Sequence, residues 1–249
     1  MKHFTIYFIF FISMLFISFP IYGQFVVDRP GLINPPDILQ ENKVQWENGF
    51  EYTVFDNKTD NSSINYLNTL ARYGLNNNSE IRFGVTYTGL KDVPQNISGI
   101  SSLSISTKLK IYQNNNSIIP NTSALIQFNL PYGDNNFKPA QTEPLLALVC
   151  SNNFSNDFLF TYNLGGVWKS TSILYFYSFS GTYLLSTKTG AILGYYSEIS
   201  QIRVPRQLVE LALTYLLDDN FQVDFWTAYS PFSQSKENVI GVGFAWQIN

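Results

Sequence analysis

Histidine and cysteine are almost missing from this chain. The one histidine, His3, lies at the extreme N-terminus, and Cys150 is the one cysteine. A lone thiol closes no intramolecular disulfide, so no oxidised scaffold is expected to hold the fold. Loss of the N-terminal segment would leave no imidazole, and Ser-His-Asp or Cys-His catalysis could not then be assembled. Zinc sites built on His and Cys fall with it. Neither a catalytic residue, a metal site nor a cofactor is therefore expected, and the chain does not read as an enzyme. Charge is scarce as well: 13% of residues, where soluble domains carry roughly 25%. The net charge of −3 offers nothing to neutralise phosphates, so nucleic acid is not an expected partner. Beyond the N-terminus no apolar run is long enough for a transmembrane helix.

What the chain has instead is apolar and aromatic mass without such runs. Hydrophobic residues make up 45% and aromatics 16%, mostly Phe and Tyr, yet the mean hydropathy is close to zero. A soluble protein needs charge on its outside, whereas a barrel facing lipid does not. The length of 249 residues suits one undivided all-β domain. Residues 1–23 read as a signal peptide: Lys2 supplies the positive charge, Phe4 to Phe19 the apolar stretch, and Gly23 a small residue at the cleavage point. The competing reading is an uncleaved helical anchor. No cysteine follows Gly23, which excludes lipid attachment at the new N-terminus.

After a Pro-rich lead at 24–43, expected in the periplasm, the chain reads in twos. Side chains of a strand alternate faces, so a period of two separates an apolar face from a polar one. In 44–54, Val44, Trp46, Phe50, Tyr52 and Val54 oppose Gln45, Glu47, Gly49 and Glu51. Segments 79–89, 102–112, 207–217, 220–230 and 238–248 repeat the pattern, and less regular ones fill 64–75, 121–130, 143–152, 157–168, 171–185 and 188–198. These segments predict an all-β fold, an antiparallel transmembrane β-barrel of about 12 strands occupying 44–249.

Short polar turns are expected at Asn76-Asn77-Asn78, Ser186-Thr187 and Asp218-Asp219-Asn220. Longer connections at 55–63, 90–98, 131–141, 199–206 and 231–237 tend to alternate with them, as in barrels of the bacterial outer membrane. Lys169-Ser170 is short where a long loop is due. A soluble barrel or sandwich also alternates. Three features favour the membrane: strands of about ten residues suit a tilted span, Trp46, Tyr52, Tyr87, Tyr162, Trp168, Tyr229 and Trp246 sit where interfacial girdles would, and the polar face is rich in Gly, Ser and Thr. The expected partners are outer-membrane lipids, the barrel-assembly machinery and small-molecule solutes.

The chain also resembles the outer-membrane proteins grouped as the putative meta-pathway of phenol degradation family. The matching stretches are Asp28-Arg29-Pro30, Gln45-Trp46-Glu47-Asn48-Gly49, Arg72-Tyr73-Gly74-Leu75 leading into Glu80-Ile81-Arg82, Tyr162-Asn163-Leu164-Gly165, Leu213-Thr214-Tyr215-Leu216-Leu217 and Gly241-Val242-Gly243-Phe244. Each is weak alone; their order is the stronger signal. Val27 stands where family members usually carry threonine or serine. The resemblance implies a transporter or channel passing small molecules, apolar or aromatic compounds among them. Gly241, Phe244, Trp246 and Ile248 further resemble the C-terminal signal read by barrel-assembly machinery, although Asn249 replaces the usual terminal aromatic residue.

The lumen is the candidate site. By parity Arg82, Lys108 and Lys110 point inward from the third and fourth strands, and Glu198, Glu210 and Asp224 from the ninth to eleventh. If water separates them, two opposed charged walls create a transverse field that selects polar solutes. If they pair, they plug a narrow interior instead. Trp226, also inward, is a ligand platform or filler. Cys150 reads as a small apolar strand residue. A non-transporting structural or surface-interaction barrel remains the alternative function.

Overall fold

A computed structural model of the chain describes residues 27–56, 61–91, 96–113, 118–232 and 236–248; the expected signal peptide and its cleavage point lie outside them. Twelve antiparallel strands follow one another around a closed barrel. They are β1 (Val44–Asp56), β2 (Asn61–Asn76), β3 (Ser79–Lys91), β4 (Ile97–Tyr112), β5 (Asn121–Leu130), β6 (Glu143–Asn153), β7 (Phe158–Trp168), β8 (Ile173–Leu184), β9 (Thr189–Ser200), β10 (Arg203–Asp218), β11 (Phe221–Tyr229) and β12 (Lys236–Ile248). Each strand pairs with its sequence neighbours, and β12 closes on β1 in unbroken register from Val44 opposite Ile248 to Asp56 opposite Lys236. Closure leaves no unpaired strand edge, which a lipid environment demands.

The two faces of the wall are inverted relative to a soluble protein. Large apolar side chains point outward and stay exposed, among them Leu164 at 64% and Leu211 at 56%, while Glu47, Arg72, Glu80, Lys108 and Glu210 are buried inside. Leaving that many Leu, Phe and Val side chains in water would forfeit their transfer free energy. Lipid removes the penalty, so this is a membrane-spanning wall. Trp46, Tyr73 and Trp246 stand exposed near the end where β1 begins and β12 finishes, the proximal end; Tyr52, Tyr87, Trp168, Tyr175 and Tyr229 ring the distal end. Six of them are expected girdle residues, Tyr73 and Tyr175 join them, and Tyr162, also expected there, is half-buried.

The connections are less orderly than their spacing predicts. The turns at 77–78 and 219–220 are short and proximal, but 201–202 is equally short and distal. There the alternation of short and long connections predicts a long loop at 199–206, and Pro205 cannot donate to a ladder. The wall continues instead through an irregular register between Arg203 and Arg206.

The second difference concerns the lead. Residues 27–43 do not hang below the barrel. Residues 27–36 cross the lumen at mid-height and 37–43 descend along β2 and β3, leaving by a turn in which Asn42 N–H donates to Gly74 O at 2.9 Å. The physical reason is charge: the lumen wall carries buried ions, and this segment brings their partners.

Candidate functional site

The inner segment is tied to β1–β5 by a network of buried charges. Parity turns Glu47 of β1, Arg72 of β2, Glu80 and Arg82 of β3 and Lys108 of β4 into the lumen, where Asp28 meets them. Lys108 Nζ lies 2.7 Å from Asp28 Oδ1, Arg72 Nη1 3.6 Å from the same atom, and Arg82 Nη2 bonds Oδ2. Arg72 also reaches Glu47 Oε1 and Glu80 Oε2, each at 2.8 Å. Three cations and three carboxylates thus balance in a water-poor space, which offsets the cost of burying them. Burial alone would raise the Asp28 carboxyl. The guanidiniums of Arg72 and Arg82 and the Lys108 ammonium outweigh it and hold the group well below the usual carboxylate range.

Backbone groups of the segment add to the tie. Leu39 N–H donates to Glu80 Oε2 at 2.7 Å, Lys108 Nζ to Pro35 O at 2.9 Å, and Ser123 Oγ of β5 to Pro36 O. Asp37 is a contrast to Asp28: burial dominates there and pushes its carboxyl up, against the pull of Lys108.

The opposite wall holds the segment at fewer points. Arg29 forks onto Asp224 of β11, Nε to Oδ2 at 3.3 Å and Nη2 to Oδ1 at 3.2 Å. Its guanidinium lies in a slot between β1 and β12 that exists because Gly49 and Gly243 have no side chain; a Cβ on Gly49 would fall 1.8 Å from Arg29 Nη1. The second anchor is Leu32 N–H, which donates to Glu210 Oε2 at 3.0 Å. Gly31 makes this possible with a φ of 82°, which only glycine adopts freely. Below it Leu32 and Ile192 pack against a small apolar core of Leu208, Ala212, Trp226, Ala228 and Val239.

Two chambers flank the segment. One, of about 430 Å³, faces the middle and distal parts of β1–β5 and is lined by Glu51, Asn68, Thr86, Ser102 and Gln127 among others. The other, of about 180 Å³, faces the proximal halves of β7–β11 and is lined by Ile33, Leu159, Ile192, Glu210 and Thr214 among others. Arg29 lines both. Its ion pair with Asp224 therefore stands at the partition.

The inward residues expected from parity do point inward, but not across open water. Arg82 and Lys108 bind Asp28, Asp224 binds Arg29, and Glu210 binds the Leu32 amide. Glu198 accepts from Tyr196 Oη at 2.6 Å and lies 3.7 Å from Arg206, which is forked onto Glu237. Lys110 is half-buried one inward step further along β4. Trp226 is packed into the small apolar core, with 1% exposure. Asp28, Arg29, Glu47, Arg72 and Glu80 were not among the sequence candidates. Glu80, Arg82 and Arg72 share the inward parity, and the Asp-Arg pair at the start of the Pro-rich lead was the available signal for their partners.

The model of the family described as "putative MetA-pathway of phenol degradation" matches residues 27–248. No curated protein sequence matches the chain. Among solved structures, an outer membrane channel from Pseudomonas putida F1 is similar with a TM-score of 0.72 at 12% identity, covering 87% of this chain and 100% of that one. The KdgM porin in complex with disordered oligogalacturonate follows at 0.54 and 11%, covering 82% of this chain and 99% of the porin. A TodX monoaromatic hydrocarbon channel mutant gives 0.53 at 7%, covering 84% and 91%. At these identities the likeness is one of fold.

Proposed function

The chain belongs to the family of the putative MetA-pathway of phenol degradation, and on that premise we propose that it is a passive channel of the bacterial outer membrane for small molecules. In this reading the proximal end faces the periplasm, as the ends carrying termini and tight turns do in such barrels. Lipid covers the outward face, and barrel-assembly machinery inserts the chain during export. Apolar and aromatic compounds are among the solutes, a reading supported by the family description and by the fold shared with a monoaromatic hydrocarbon channel. The protein conducts rather than catalyses.

One observation carries the proposal. The lumen holds two chambers on opposite sides of an inner segment, and Arg29 lines both. A structural barrel has no use for such space; a restrained passage does. Arg82, Lys108, Glu210 and Asp224 then act by holding the segment rather than as a bare selectivity filter. Liposome swelling with purified protein tests this. Small uncharged solutes should enter, faster with Arg29→Ala than with the native chain. Liposomes that stay tight with both proteins would favour a non-transporting barrel.

A further inference from the structure

Among the described residues six carboxylates are buried in the lumen: Asp28, Glu47, Glu80, Glu210, Asp224 and Glu237. Five meet a cation within 4 Å: Asp28 meets Lys108, Glu47 and Glu80 meet Arg72, Asp224 meets Arg29, and Glu237 meets Arg206. Glu210 is the exception. It is 1% exposed, and among the described residues no lysine or arginine pairs with it. Oε2 takes the Leu32 amide, while Oε1 accepts no hydrogen bond. Oε1 is covered by the backbone of Gly31, close enough that a Cβ there would fall 2.2 Å away. A buried carboxyl oxygen without a donor is costly, and a buried charge without a counter-charge more so.

The same residue lines the 180 Å³ chamber. The rest of that lining gives the shape of what could satisfy it. Ile33, Leu159 and Ile192 supply an apolar body, with Thr161 and Thr182 beside them. An apolar cavity of about 150 Å³ accommodates a benzene ring, so one ring fits here. Arg29, which also lines the chamber, is already paired with Asp224, so the unpaired Glu210 sets the sign of the head: it repels a carboxylate and favours a donor that carries positive charge.

We propose that this chamber is a binding site for compact apolar amines, whose ammonium takes Glu210 Oε1 as the Gly31 turn gives way. The ligand supplies the cation that Glu210 alone lacks, and its single ring lies against Ile33, Leu159 and Ile192. This names a solute class for the proposed channel and rests on that reading. Binding is nevertheless separable from passage, since it needs no membrane, and failure of one leaves the other to be judged independently.

The test is calorimetric titration of the detergent-solubilised chain at neutral pH with benzylamine, benzyl alcohol and benzoate. Benzylamine should saturate one site, benzyl alcohol should bind more weakly, and benzoate should not bind. Glu210→Gln should weaken benzylamine about tenfold or more, the loss expected when a charge-assisted bond becomes neutral, and should bring it level with the alcohol. Leu159→Trp fills the chamber from the β7 side, leaves Glu210 itself unchanged and should abolish both. It decides the matter if Glu210→Gln does not give the heat-modifiable band of a folded barrel. The proposal is overturned if benzylamine fails to saturate, which leaves the chamber to water. It is equally overturned if benzoate binds as tightly, or if both variants titrate like the native chain.

Discussion

The two walls of the lumen hold the same segment in different ways. Against β1–β5 it meets a closed charge network, in which Asp28 alone faces Arg72, Arg82 and Lys108. Against β9–β12 it has one forked ion pair, a bond from the same guanidinium to Val242 O at 3.4 Å and one bond from its backbone. The first wall fixes the segment. The second holds it chiefly by one arm, Arg29, which lines the chambers on both sides. A passage that opens should therefore open on the Arg29 side, with the Asp28 side as its hinge.

The largest effect should come from breaking the hinge. Asp28→Ala leaves three buried cations facing one another without their shared carboxylate. Removing one partner of a buried pair costs about 3–5 kcal/mol, and denaturant unfolding followed by band shift should show a loss of that order. If Asp28→Ala is no worse than Arg29→Ala, the contrast between the walls is unfounded.

How much of this was legible beforehand depends on which periodicity carried it. The wall was readable because an outward residue such as Phe83 and an inward one such as Arg82 alternate over a whole strand. β5 is bounded as expected, at Asn121 and Leu130. The distal turn at 201–202 was not readable, since Pro205 speaks for a loop locally while pairing with β9 and β11 holds the strand together. The lumen residues were legible as inward, with pairing as one of two outcomes, but the partners they pair with were not legible. Parity places Lys108 and Asp224 on the inner face without saying what lies between them. What lies there is the lead, an aperiodic stretch whose path is set by long-range charge contacts such as Asp28 to Lys108. Only Asp28-Arg29 hinted at it, as part of a motif without an assigned partner.

A smaller effect is expected at the other wall. Arg29→Ala removes charge-assisted bonds to Asp224 and should cost about 1.5–3 kcal/mol, the usual worth of hydrogen bonds to charged groups. Gly49→Ala should sharpen the comparison further. Its methyl would meet only the end of the Arg29 side chain among its nearest atoms, so it pushes the arm off Asp224 while every charge remains. It should match Arg29→Ala in conductance with a lesser loss of stability. A Gly49→Ala channel indistinguishable from the native one would show that the slot does not position Arg29.

Acid should change the hinge least. The Asp28 carboxyl is held below its ordinary value of 3.8 by its three cations. Its contribution is therefore complete above that value and is lost only as the pH falls through the depressed one. Asp37 runs the other way, because burial raises its carboxyl and protonation relieves that cost. Neither group releases the segment on mild acidification, so the Asp28 tie should hold from neutrality to about pH 4. The stability difference between the native chain and Asp28→Asn, measured by denaturant unfolding across that range, should stay constant; a difference that shrinks near pH 5 would contradict it.

The central claim is that Arg29 is the partition of a restrained passage. Single-channel recording in planar bilayers, with native, Arg29→Ala and Arg29→Lys chains side by side, tests it most directly. Arg29→Ala should conduct several-fold more than the native chain, because the chambers on either side of the segment then join. Arg29→Lys should lie between, since a lysine keeps the charge but cannot fork onto Asp224. Equal conductance in all three, from barrels that show the folded band shift, would place the barrier elsewhere and contradict the account.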